Sequence, residues 1–164
     1  MRLRFVRTRG EPDRVYVRRS DGSDVAWSFP TFGWEVPHDL VHAVVESMFG
    51  IRDGFWGRVD GGIDPKRVNE MANRTGGKNK YAGFGDDLRG LYLAEVLANL
   101  SWSMFELTSE DRMQLARDQA AKAGVELPDS VTAEALDRVQ ERLNELRLQW
   151  GAIDTKGTVE ISFP

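Results

Sequence analysis

A chain of 164 residues, 41% hydrophobic and 29% charged, has the size and balance of one domain with an ordinary buried core, and residues 1–164 are read as that single domain. The chain has no cysteine, which excludes disulfides, thiolate catalysis and cysteine-ligated zinc, and no apolar run approaches the ~20 residues of a bilayer span. The net charge of −4 is unevenly placed: residues 1–20 hold seven arginines against Glu11 and Asp13, a net +5, which leaves −9 for the rest.

Residues 2–7, 14–19 and 24–29 alternate apolar and polar side chains, the mark of half-buried strands. Asp21-Gly22 lies between the second and third and supplies the positive φ of a tight hairpin. The opening is therefore a three-stranded meander. Thr158 to Phe163 alternates again, and this last strand is expected to join the N-terminal sheet. With Leu3-Arg4-Phe5 already strand-like and no signal-type apolar stretch, the expected location is the cytoplasm, with no membrane partner.

Helices are expected between the strands. Pro37 to Phe49 starts with a permitted proline and stops at Gly50. A loop over 51–64 surrounds Phe55-Trp56 with glycines, either as a lid or as a segment tucked onto the core. A short helix is expected over 65–73, then a glycine-rich connection to Gly83. Asp87 to Phe105 is apolar on nearly every face and reads as one long core helix. Thr108 with Asp111 caps a polar helix over 109–123. The last helix, 132–150, carries Leu136, Val139, Leu143, Leu146 and Trp150 in a stripe that packs either inside the domain or against a second copy as a homodimer. The fold class is α+β: an antiparallel sheet of the meander plus the C-terminal strand, packed against about five helices.

The only two histidines, His38 and His42, are one helical turn apart. At 100° per residue, His38, His42, Glu46 and Asp39 fall at about 0°, 40°, 80° and 100°, one arc of the helix. Leu40, Val41, Val44, Val45 and Met48 fill the neighbouring arc, so the polar quartet borders a buried face. Two imidazoles at this spacing reach one cation, and two His with a carboxylate and open positions suit a divalent metal: zinc first, then iron(II) or manganese. The alternative is structural, with His38 at the helix start, His42 packed with one hydrogen bond, and Asp39 favouring the helix dipole.

His38-Asp39-Leu40-Val41-His42 spells HDxxH, which resembles the zinc motif of a ubiquinone-biosynthesis family. In that family a glutamate follows after eleven more residues, whereas Gly54 stands there in this chain. The resemblance covers the motif alone. It implies zinc at His38 and His42, and a mainly helical fold that the strand-rich N-terminus departs from.

Ligands from one helix rarely complete a site, and Glu95, within Leu93-Ala94-Glu95-Val96-Leu97, is the expected second contributor. A carboxylate in so apolar a segment is expensive to bury unpaired, although it also could face solvent beside Tyr92 and Asn99. Asp53, Glu70, Asp86 and Asp87 are weaker alternatives. Glu46 or Glu95 would act as general base, and Arg74, Lys78, Lys80 and Tyr81 on the glycine-rich loop would hold an anionic small-molecule substrate. The leading expectation is a small metal-binding protein with hydrolase or lyase chemistry. The alternative is a non-catalytic module whose arginine-bearing sheet face holds an acidic protein or nucleic acid.

Overall fold

The computed structural model describes residues 1–8, 12–29, 35–66 and 87–164. Four antiparallel strands, β1 (Arg2–Val6), β2 (Asp13–Arg18), β3 (Asp24–Phe29) and β4 (Thr158–Ser162), form one sheet in the order β3-β2-β1-β4. The C-terminal strand joins the meander as expected, alongside β1. Register follows the alternation: Leu3 lies opposite Val17 and Ile161, and Phe5 opposite Val15 and Val159. A slip of one residue would turn Leu3 and Phe5 to solvent, so burial of this face fixes the pairing.

Five helices are described: α1 (His38–Phe49), α2 (Phe55–Asp60), α3 (Arg89–Ala98), α4 (Ser109–Ala123) and α5 (Ala133–Ala152). They share one core with the inner sheet face, in which Phe5, Trp56, Leu40, Leu97, Leu136 and Leu146 are completely buried. The heptad-like stripe of α5 belongs to this core, since Leu136, Val139, Leu143, Leu146 and Trp150 are all buried within the chain itself. The expected capping box at α4 is present, Thr108 and Asp111 bonding each other's backbone N–H.

Two elements differ from the periodicity. The 51–64 segment contains α2, because the Glu46 carboxylate accepts the backbone N–H groups of Phe55 (3.1 Å) and Trp56 (2.8 Å) and so supplies negative charge to the first turn of that helix. Trp56 is fully buried, which makes this segment part of the core and not a lid. The apolar pattern of 87–105 gives a helix of only ten residues. Its C-terminal carbonyls are taken by side chains: Trp102 Nε1 donates to the Leu97 oxygen (3.0 Å) and Asn99 Nδ2 to that of Glu95 (2.8 Å). The helix closes at Asn99, Ser101 beyond it takes a left-handed φ of 55°, and Met104 and Phe105 are exposed.

Candidate metal centre

α1 forms because an apolar stripe of Leu40, Val41, Val44 and Val45 faces the core, and Gly50 closes it in the left-handed conformation with φ 66°. The helix carries His42 inward, where only 3% of its side chain is exposed, and His38 to the rim, where 46% is. Their rings meet edge to face with centroids 4.8 Å apart. α3 packs against α1 and brings Glu95 over both rings: Glu95 Oε2 is 3.6 Å from His38 Nε2 and 3.7 Å from His42 Nε2. Asn99, one turn on, orients the same oxygen by donating Nδ2 to it at 3.2 Å.

These separations are too long for direct hydrogen bonds. They are close to the spacing that a shared cation imposes, since two ligand atoms about 2.0–2.1 Å from a tetrahedral zinc lie roughly 3.4 Å apart. One ligand atom from each of His38, His42 and Glu95 lies within 4.8 Å of the others, a group that could hold a metal ion. Drawing the widest pair to tetrahedral spacing requires one ring to swing inward, and the rim position of His38 leaves it that freedom.

Glu46 is on the opposite side of His42. Its Oε1 is 3.1 Å from His42 Nδ1, and both its oxygens accept α2 backbone N–H groups, so the carboxylate is fully buried yet fully engaged. Burial raises its pKa, an effect the bonds from His42, Trp56 and Phe55 partly offset. With Nδ1–H donated to Glu46, Nε2 of His42 presents its lone pair toward Glu95 and His38. A carboxylate behind the ring is the usual means of fixing a metal-binding tautomer. When the ring is charged instead, burial opposes the charge, but the Glu46 hydrogen bond and the neighbouring Glu95 outweigh it and push the His42 pKa up to about 9.

Gly54 adds a steric reason for this arrangement. A Cβ at Gly54 would lie 2.6 Å from both Cδ and Oε2 of Glu46. The carboxylate of α1 thus fills the space of a side chain at the position where the resembled motif has its glutamate.

Asp39, half-buried, turns from the two histidines to Trp27, whose Nε1 donates to its Oδ2 at 3.1 Å, while the Asp39 carbonyl accepts Trp56 Nε1 at 2.8 Å. Screening from water raises its pKa, and the Trp27 bond works against that rise. Asp39 therefore ties α1 to β3 and α2. Of the other acids, Asp87 is exposed and clamped by Arg89, and Asp53 is exposed before α2. Glu70, Asp86, Arg74, Lys78, Lys80 and Tyr81 lie outside the described residues.

The N-terminal arginines divide. Arg7 is buried with its Nη1 on the Trp150 carbonyl (2.5 Å), and Arg19 binds the carbonyls of Val59 (2.5 Å) and Ile63 (2.9 Å), which pins the hairpin to α2. Arg2, Arg4, Arg14 and Arg18 remain on the outer sheet face, where Arg18 pairs with Asp24 (2.6 Å) and Arg4 lies over Tyr16 (4.9 Å). Two of these four arginines thus have a partner on the sheet itself.

A residue that the sequence did not single out is Arg147, which lines a cleft together with His38; its only sequence signal is a cation one position beyond the buried Leu146. None of the described helices is long and apolar enough to cross a membrane. Comparison with protein-family models, curated proteins and solved structures gives no match to this chain.

Proposed function

We propose that the protein binds one divalent metal, zinc first, through His38, His42 and Glu95, and uses it for hydrolase- or lyase-type chemistry on a small molecule. The observation that carries this reading is the convergence of two imidazole Nε2 atoms on one carboxylate oxygen, at 3.6 and 3.7 Å, from two different helices. Three protein ligands leave a position for water or substrate, which separates a reactive site from a closed structural one.

A metal held there supplies Lewis acidity to a substrate oxygen or a more acidic bound water. The residues of the chain have separate tasks. His42 is the fixed ligand, held from behind by Glu46. His38, on the rim, is the adjustable one. Glu95 is steadied by Asn99 through a 3.2 Å hydrogen bond. Glu46 acts as a positioning residue: its oxygens are occupied by His42 and the α2 amides, so it has no proton-transfer path to a substrate. Glu95 is the ligand carboxylate that faces solvent, its side chain being 25% exposed.

Elemental analysis of protein purified without a histidine tag, then loaded with zinc or cobalt(II), tests the reading. About one equivalent per chain is expected for wild type and none for His42→Ala, with cobalt giving the strong visible bands of a low-coordinate site. Protein that retains no metal after loading, with an unchanged melting curve, would refute it. The rival reading is that His42 is a buried imidazolium between two carboxylates, as its raised pKa supports. That case predicts stability indifferent to zinc.

A further inference from the structure

The cleft beside His38 has a volume of about 350 Å³ and lies between the start of α1, the end of α3 and the middle of α5. Its walls are of two kinds. Val41, Trp102 and Leu143 are buried core residues that give it an apolar side, and Arg147 gives it a cation. Arg147 donates Nη1 to Asn144 Oδ1 at 2.8 Å, makes one long contact from Nη2 to the Trp102 carbonyl at 3.4 Å, and stacks on Phe105 with its Cζ 4.8 Å from the ring centroid. Among the described residues no carboxylate pairs with it. A guanidinium has five N–H donors in a planar fork, so several remain for a ligand.

Ser101, at the edge of the same cleft, holds a left-handed backbone at φ 55° without being glycine, and it is this turn that brings the Trp102 carbonyl to Arg147. A conformation of that kind costs of order 1 kcal/mol or more and is retained where the surroundings require it. Glu35 lies at the exposed rim and opposes a second negative charge on the occupant.

We infer that this cleft is a binding site for a small monocarboxylic acid with an apolar body, its carboxylate on Arg147, its body against Trp102 and Leu143, and its other end toward His38. The carboxylate end stands on the cleft alone; the assignment of the other end to the reacting group rests on the metal reading above. His38 links the two, since it both lines the cleft and completes the His38, His42 and Glu95 group. The acid would therefore be the substrate class of that site, presented with its non-carboxylate end to the metal.

The test uses metal-free wild-type protein and phenylbutyrate as probe, followed by calorimetry and ligand-observed NMR. Phenylbutyrate is expected to bind, and the neutral phenylbutyramide to bind about ten-fold more weakly, as loss of one charge-assisted bidentate contact would give. Arg147→Met is expected to lose a similar factor, while Arg147→Lys, which keeps the charge without the fork, recovers part of it. Phenylsuccinate, with its second carboxylate, is expected to bind no more tightly than phenylbutyrate. Equal binding of acid and amide, tighter binding of the diacid, or no binding of phenylbutyrate overturns the inference, and the acid–amide comparison needs no variant that might misfold. Zinc loading of the same samples separates the two readings. Zinc uptake without phenylbutyrate binding removes the cleft assignment alone, and phenylbutyrate binding without zinc uptake removes the metal reading alone.

Discussion

At the scale of single residues, His42 is the group whose chemistry the fold most strongly constrains. Glu46 and Glu95 raise its pKa to about 9 in the metal-free protein, so near neutrality the ring is charged and a metal must displace a proton to bind. Calorimetry in two buffers of different ionisation enthalpy is expected to show about one proton released per zinc between pH 7 and 8. The linkage has a definite sign. A histidine whose folded pKa exceeds its unfolded value near 6.5 stabilises the fold fully below that value and loses this contribution as pH rises through about 9. The melting temperature of metal-free protein should therefore fall from pH 6.5 to 9, and less so for zinc-loaded protein, where the ring is already neutral. Glu46→Gln is expected to keep the fold but weaken zinc binding about ten- to a hundred-fold, because the carboxylate behind the ring sets its tautomer and basicity. Glu46→Ala would also leave the Phe55 and Trp56 amides without their acceptor and lower stability by about 1–3 kcal/mol, readable by denaturant titration. Helical spacing made His38, His42 and Glu46 legible as neighbours, and the apolar run around Glu95 marked that residue as the second contributor. Spacing said nothing of which side of His42 each carboxylate occupies. That depends on α2 amides arriving from outside the helix, a tertiary fact.

At the scale of elements, the joint between α1 and α2 is the most constrained. Gly54 presses its backbone against the Glu46 carboxylate, so Gly54→Ala must displace either the helix start or the carboxylate itself. Lowered melting temperature together with weaker zinc binding is expected. A stability loss with unchanged affinity would show that the two helices can part without moving Glu46. α3 illustrates what periodicity could not supply. Its apolar pattern runs on past Ala98, but the side chains of Asn99 and Trp102 claim the carbonyls of Glu95 and Leu97 at its end. Capping by the indole of Trp102, five residues past Leu97, has no recurrent sequence pattern, whereas Thr108 and Asp111 form a capping box at its standard spacing and were readable directly. α2 was missed for a different reason: the acceptor of its first-turn amides, Glu46, comes from another helix.

At the scale of the whole molecule, the strand alternation carried enough information to give the meander, the return of the last strand and the α+β class, because a half-buried sheet tolerates no slip in register. The cleft was not legible. His38 and Arg147 are far apart in sequence and meet only when α1, α3 and α5 close on one core. Since His38, His42 and Glu95 come from two packed helices, a metal held between them should stabilise the native state as a unit: zinc at a hundred times its Kd adds about 2.7 kcal/mol. In a chain of this size that corresponds to a melting shift of about 5–11 °C, reversed by chelator. An unchanged scan would mean that α1 and α3 bind no metal between them. Trp102 extends this coupling beyond the cleft. Its indole N–H closes α3, its carbonyl receives Gln140 and Arg147 from α5, and the Arg112 guanidinium of α4 lies 5.4 Å from its ring. This one residue thus joins three helices and the wall of a cavity, and the emission colour of its indole reports how wet and how charged that cavity is. The difference spectrum between wild type and Trp102→Phe would isolate that signal, giving the fold a built-in optical gauge of when the cleft is filled.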